Sequence, residues 1–563
     1  MPVAFFILKR KVIVKDMEEV EKKETTPEHK TTRKRKGGTQ VKQKATNDTK
    51  RKANVKDFVS SVDSNIYAIA HLPEEFIATL FAWVSRSPKS FREHLEEAIN
   101  DFSLVAPSSD NFNELDEKAK AFHSKWTVGY GHSSVGEHAV VHMALEQVSR
   151  LASAELELAS QFLSITEYSQ RYQKPVRGGW YNPYDSSQEQ YKEFEEYMNQ
   201  MFIYFEQLNE ILYDEAKEHY LKLGEGYELA RKNTDESNKK INRDLRALEK
   251  KAFEDARYLL PLSIHTQLGV TANARAWRDV ISTLGNSSHK EMKDCAVALN
   301  REASKIVPVL LRHSEPSQFE RNVKIRKADL YKDFHVKTQK EGASAYVTQT
   351  LSEEVMLRQL VTLMTMEETN VSYEEAAAFA LNQTSEQLRT ATKIIIHEMK
   401  EYDNPIQAFK SLRVNAVAYV SEANWHQLLR HNRGADFTYG KPSSEFGYVT
   451  PPSVKVSKRA TALFNEALQY ATDKQELFDD EVGAEYVVLN AHIRPVHISA
   501  DMYEMYHLVN LRTSEEAQWE IRDTFIDIYN SLAKTHPYIV SMMPRRNPEV
   551  INKAFGYLKG GEE

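Results

Sequence analysis

Two stretches of the chain decide how it folds: residues 256–292, ARYLLPLSIHTQLGVTANARAWRDVISTLGNSSHKEM, and residues 484–521, AEYVVLNAHIRPVHISADMYEMYHLVNLRTSEEAQWEI. Each is preceded, in the same order, by a member of a second pair. These are residues 145–172, LEQVSRLASAELELASQFLSITEYSQRY, and residues 412–443, LRVNAVAYVSEANWHQLLRHNRGADFTYGKPS. A pattern that recurs in order at this scale redefines the whole fold, because each copy is then a structural unit. The spacing from Arg171 to Arg257 is 86 residues, and that from Pro442 to Glu485 is 43. The first copy therefore carries an insertion around Gln188 to Lys251, whose run ESNKKINRDLRALEKK reads as a solvated helical face.

Around this repeat, helical periodicity dominates. Ordered sequence is expected from near Phe58, where SNIYAIAHLPEEFIATLFAWVSR mixes strand and helix periods before the helical SFREHLEEAIN. Strands are predicted at Tyr346 to Thr350 and Val487 to Ile493, which with so much helix gives an α+β class. The domains read as a basic tail, 1–57, a first copy, 58–325, and a second copy, 326–563, with the junction near Lys324 to Lys340.

The chain has 563 residues and a net charge of −7. Lys9 to Lys56 holds 17 Lys and Arg against 7 Asp and Glu, a surplus of +10, so the rest carries −17. This tail, with Arg33-Lys34-Arg35-Lys36 and Lys50-Arg51-Lys52, is expected to be disordered. It reads either as a polyanion-attracting arm, weakened by salt, or as a solubilising extension. No apolar run reaches the length of a membrane span, and no targeting segment is recognised, so a cytoplasmic address is expected.

Cys295 is the only cysteine, which excludes internal disulfides and cysteine-based zinc sites. It lies among Met292, Ala296, Leu299 and Ala303 at helical spacing, a packed thiol rather than a nucleophile. Neither a G-x-G-x-x-G after a strand nor a phosphate loop is present, so a nucleotide must be held by side chains. His138 and His142 stand four apart on a predicted helix, with His132 upstream. The segment is not H-E-x-x-H, so they read as hydrogen-bonded or ligand-contacting histidines, with no metal expected. Ser164 to Tyr172 offers a carboxylate, hydroxyls and a guanidinium suited to phosphate, although a polar helix end would look similar. Trp425 to Arg433 gathers two His and two Arg beside an aromatic. That cluster suits a pyrophosphate or flat heterocycle or a basic surface face.

GYGHSSVGEHAVVH, EYSQRY and LPLSIHTQLGVTANAR, in that order, resemble the flavin-dependent thymidylate synthases, and the later RH, VNLR and AQWEI resemble them again. The resemblance spans roughly Asn65 to Pro316 and Ala345 to Pro548. It implies two tandem copies of that fold, helix-rich with a small sheet in each. The copies depart from the family pattern in complementary ways. Where the family has R-H-R, the first copy reads Ala159-Ser160-Gln161, yet it keeps Ser164, Glu167, Ser169, Arg171, Tyr172 and Arg257. The second copy keeps Gln427, Arg430, His431 and Arg512, where the first has Leu284. It has Asn432 for the third basic residue, Gly440-Lys441-Pro442-Ser443 for S-x-R-Y, and Glu485 for Arg257.

The resemblance implies reductive methylation of dUMP to dTMP with methylenetetrahydrofolate, NADPH and FAD, a chemistry without a protein nucleophile. By the same resemblance, Glu167, Ser169, Arg171, Arg257 and Gln427 hold dUMP and Arg512 activates its ring. Arg430, His431, Asn273 and Arg275 hold FAD, with His132 and His138 nearby. Because the family's sites form between subunits of a homotetramer, it also implies a homodimer imitating that tetramer. In that arrangement, mixed Arg171→Ala and Arg512→Ala chains would not simply add their residual rates. The competing readings are an inactive or repurposed flavin- or nucleotide-binding protein, and action on another uracil substrate or a nucleic acid met by the tail.

Overall fold

A computed structural model describes residues 53–101, 133–334 and 340–559, apart from positions 65, 85, 86, 172 and 341. Residues 1–52, His132 and Tyr172 lie outside the described set, as does most of the predicted tail. Packing begins slightly before Phe58: Asn54 caps a short turn, and Ala53, Phe58, Leu72, Phe76, Leu80 and Leu95 form a small buried cluster. The latter half of SNIYAIAHLPEEFIATLFAWVSR is the helix Glu74–Val84, and SFREHLEEAIN lies in Phe91–Asp101.

Each copy contributes one small antiparallel sheet amid helices. In the first, β1 (Val140–Ser149), β2 (Ser164–Glu167) and β3 (His265–Asn273) run in the order β1-β3-β2. In the second, β4 (Ser344–Thr350), β5 (Arg413–Ser421), β6 (Ala435–Tyr439) and β7 (Ile493–Asp501) run in the order β4-β5-β7-β6. β1, β2 and β3 thus correspond to β5, β6 and β7. The hinge from first strand to helix is also repeated. Ser149 caps the helix Arg150–Leu158 through Ala152 N, and Ser421 caps Glu422–Leu428 through Asn424 N. A hydroxyl at that position satisfies an otherwise orphan helix amide, worth about 1 kcal/mol.

Two sequence expectations are corrected. His138 and His142 are not on a helix: His142 belongs to β1 and His138 precedes it. The alternation through Val141, Met143 and Leu145, with Val141 and Leu145 buried, Met143 partly buried, and His142 and Ala144 exposed, suits a pleated strand. The run Val487 to Ile493 is not a strand either, since β7 starts at Ile493. A short, continuously buried apolar run is not distinguishable from a strand by periodicity. Here it is a turn used to join the copies.

That joint is reciprocal. Leu262 N donates to the Val488 carbonyl and Ser263 N to that of Tyr486, while Asn490 N donates to the Leu260 carbonyl and Ala491 N to that of Tyr258. All four bonds are 2.8–3.1 Å long. Side chains follow the same exchange. Ser149 N and Oγ donate to Glu291, which also accepts from Tyr486 Oη at 3.0 Å. Ser421 N and Oγ donate to Glu520, which accepts from Tyr258 Oη at 2.5 Å. Contact of i with j matched by contact of j with i is the signature of a two-fold interface, here between halves of one chain.

The insertion strengthens the joint. Helix Glu189–Lys222 buries Phe194, Tyr197, Met201, Phe202 and Phe205, and packs on Lys458–Gln475 of the second copy. Helix Asp235–Ala256, which contains the charged run, is mostly exposed until Ala252. Phe464, Leu468 and Tyr486 to Ile493 share one continuous core with residues of the first copy.

Tyr258→Phe and Tyr486→Phe each take a donor from a buried carboxyl. Each is expected to lower unfolding free energy by about 1–3 kcal/mol, read as a lower urea midpoint at unchanged slope.

Candidate functional site

The joint brings the end of β2 against the turn after Glu422–Leu428. Glu167, the last residue of β2, is buried and lies between two guanidiniums. Arg150 of its own copy pairs with Oε1, Arg430 of the other copy reaches Oε2 at 2.6 Å, and Thr266 Oγ1 donates to Oε1 at 3.0 Å. Burial raises the Glu167 carboxyl, but Arg150 and Arg430 outweigh it and hold it below the usual carboxylate range. It is an anion in the folded protein.

Further cations crowd the same region. Arg512, ending the helix Met502–Arg512, donates through Nε to His431 Nε2 at 2.8 Å and through Nη2 to the Gln427 carbonyl at 3.4 Å. Burial first, then Arg430 and Arg171, push its guanidinium down to about 10. Arg171 pairs with Glu254 and approaches the Glu516 carbonyl at 3.4 Å. Arg257 is buried and donates through Nε to the Glu254 carbonyl at 3.2 Å, while its Nη2 has no partner among the described residues. Burial lowers it, with Arg150 and Arg171 adding repulsion. His426 is buried and driven well below its ordinary value by burial, then by Arg150, Arg494, Arg430 and Arg257. So many cations, with two donors, Arg257 Nη2 and Arg150 Nε, left without an acceptor among the described residues, suit an anion such as phosphate.

Beside them is a cavity of about 300 Å³ lined by Glu157, Ser164 and Glu167 from the first copy and by Arg430, Asn432 and Arg433 from the second. Arg433 Nη2 donates to Ser164 Oγ at 2.9 Å, and Asn432 Nδ2 to the Glu157 carbonyl at 2.6 Å. Asn432 thus fastens the copies together at the place where a third basic residue was sought.

The structure brings Glu167, Arg171 and Arg257 of one copy together with Gln427, Arg430, His431 and Arg512 of the other. Ser169 sits in the loop leading to Arg171, whose N–H it accepts at 3.3 Å. Gln427 Nε2 donates to the Ala423 carbonyl at 3.1 Å. Asn273, Arg275 and His138 do not join this group. Asn273 caps the next helix through Ala276 N, Arg275 pairs with Glu137, and His138 stacks on Phe81 with ring centroids 4.7 Å apart. Asn273 is seven residues along β3 from Thr266, about 23 Å at roughly 3.3 Å per residue.

Arg150 and Glu157 were not among the sequence candidates. Aligning the two capping serines would have flagged Arg150, since the residue after Ser421 is Glu422. The second copy holds its own buried pair there, Glu422 with Arg494 at 2.8 Å. The same alignment shifts two counterparts by one residue. Arg430-His431-Asn432 corresponds to Leu158-Ala159-Ser160, and with Glu167 opposite Leu268 and Tyr439 opposite Val496, Arg171 corresponds to Ser443.

At the place related by the internal two-fold, the chemistry is inverted. Glu155 stands for Gln427, Leu158 for Arg430, Leu284 for Arg512 and Glu485 for Arg257. His289 lies between Glu155 and Glu485, at 3.5 and 3.7 Å. This second position has carboxylates or leucines where the first has Gln427, Arg430, Arg512 and Arg257.

Among the described residues, His431, Glu504 and His507 could be grouped around a metal ion. Because His431 Nε2 accepts from Arg512, its proton sits on Nδ1 and that nitrogen has no lone pair for a metal. Cys295, near-buried, is pushed up to about 12 by burial, then by Glu291 and Asp294, and is an inert thiol.

Comparison with known proteins gives a match to the family model described as thymidylate synthase complementing protein, over residues 69–309 and 359–538. A UPF0159 protein of Thermoplasma acidophilum is 22% identical over 456 residues, 77% of this chain and 90% of that protein. A UPF0159 protein of Chlamydia muridarum is 27% identical over 265 residues, 46% of this chain and 48% of its own length, so the chain spans about half of that relative. A flavin-dependent thymidylate synthase of Sulfurisphaera tokodaii is 31% identical over 137 residues, 23% of this chain and 52% of that protein.

Glu157 supplies a stability test. Burial, then Glu167, raise its carboxyl to about 7, against Arg430 and Arg150. A raised folded value means stability that is present below the unfolded value and lost as pH rises through the folded one. Glu157→Gln should therefore gain about 1–2 kcal/mol on wild type between about pH 5 and pH 8. Thermal melts at both pH values read this.

Proposed function

The chain belongs to the thymidylate synthase complementing protein family, and from that premise we propose that it methylates dUMP to dTMP. The carbon comes from methylenetetrahydrofolate and the reducing pair from NADPH. The methylene carbon bonds to C5 of the uracil ring, the C5 proton leaves, and one hydride reduces the transferred carbon to methyl, releasing tetrahydrofolate. Bound FAD would supply the relay of that hydride.

The observation that carries this reading is the assembly of a cationic site from what each copy retains. The orphaned Nη2 of buried Arg257 fits a phosphate oxygen, and Arg171 and Gln427 flank the same space. Arg512, drawn down to about 10 by burial and by Arg430 and Arg171, is stabilised by any anion it meets. It therefore favours negative charge developing on the uracil ring. Among the described residues only Nη2 of Arg430 is engaged, and His431 keeps an Nδ1–H donor, so both can hold an anionic dinucleotide. A cavity of about 300 Å³ is at the small end for ligand sites. It suits one pyrimidine ring, with FAD held outside it. Asn273 at the end of β3, Arg275 in the helix after it and His138 ahead of β1 stand apart from this group, so a part for them in holding FAD is proposed to involve a second copy of the chain, as in the homodimer reading. The copies are proposed to divide near residue 325, and the basic tail to attract polyanions.

Arg171 and Arg512 interact within one chain. Each alanine variant is therefore expected to lose at least about 100-fold in turnover. Mixing the two variants should return only the average of their rates, contrary to the expectation for a site shared between chains. Wild-type turnover by Arg512→Ala would overturn its role. Recovery on mixing would show that the paired residues come from different chains.

A further inference from the structure

Glu157 is buried at 4% exposure, lines the cavity, and its carboxyl makes no hydrogen bond or ion pair among the described residues. This is unusual for a carboxyl group in such a place, because burying one without a partner is costly unless it holds its proton or meets a ligand. Its neighbour Glu167 has the opposite environment, with two guanidiniums and a threonine hydroxyl on its oxygens. Two carboxyls in one cavity with divergent surroundings divide the roles of acceptor and donor.

We infer that Glu157 is a ring-recognition residue: its carboxyl donates a hydrogen bond to the carbonyl oxygen at position 4 of a pyrimidine nucleotide seated in the cavity, selecting uracil over cytosine. The inference rests on the proposed uracil-nucleotide function and specifies its base selectivity. A cytosine presents an amino group at position 4, and a protonated carboxyl facing it leaves two donors opposed. The groups facing Glu157 are Glu167 on β2, Arg150 on its own helix, and Arg430 and Arg433 on the turn of the other copy. Burial and Glu167 together keep the carboxyl protonated up to about 7. Once ionised, Glu157 becomes an acceptor, which suits the cytosine amino group instead. Selectivity therefore depends on pH.

The experiment measures dUMP and dCMP binding to the FAD-loaded full-length protein by calorimetry at about pH 6 and about pH 8, either side of the Glu157 transition. The phosphate also ionises near about pH 6, but both ligands carry it and the ratio of their affinities cancels it. Wild type should lose at least about tenfold of its preference for dUMP between the two pH values. Glu157→Gln, whose amide carries both a donor and an acceptor, should show a preference that does not change with pH. A constant preference in wild type, or an unaltered pH dependence in Glu157→Gln, overturns the inference while leaving dUMP as ligand. Failure of wild type to bind dUMP at either pH overturns the proposed function and the inference with it.

Discussion

The carboxylate of Glu167, held between Arg150 of its own copy and Arg430 of the other, is the interaction on which the site depends. A buried anion without partners would be costly, and one paired with a single guanidinium only partly offset. With two guanidiniums and the Thr266 hydroxyl the charge is matched, and the match spans the boundary between copies. Burial first, and then the ionised Glu167, raise its neighbour Glu157, so the ion triad adds to what burial imposes on the cavity.

The internal two-fold explains why each copy could lose part of the family pattern. A symmetric pair offers two equivalent positions. Arg512, Arg430 and Arg257 gather at one of them, and the other has their counterparts Leu284, Leu158 and Glu485. The changes at the other position are not neutral losses. Glu155 and Glu485 flank the buried His289 there, and Glu422 with Arg494 replaces the arrangement around Arg150. The two-fold joint itself remains intact, since Glu291 with Tyr486 and Glu520 with Tyr258 are preserved on both sides.

The repeat was legible because the order of its segments survives even where identity does not, and the helices were legible from their periodicity. The His138–His142 stretch and Val487–Ile493 were misread for physical reasons. Four-residue spacing places two side chains on one face of a strand as well as of a helix, and a fully buried turn has no period. Arg171, Arg257, Arg430 and Arg512 were found through the resemblance, since guanidiniums far apart in sequence carry no local signal of convergence. Arg150 and Glu157 were missed because a charged residue among Leu and Ala looks like a helix's exposed face until tertiary packing buries it.

The central claim is that one chain builds one nucleotide site from its two halves. The most direct measurement is the stoichiometry of dUMP binding to the FAD-loaded full-length protein by titration calorimetry. The account predicts one dUMP per chain, because the inverted position has Leu158, Leu284 and Glu485 in place of Arg430, Arg512 and Arg257. Two dUMP per chain would contradict it.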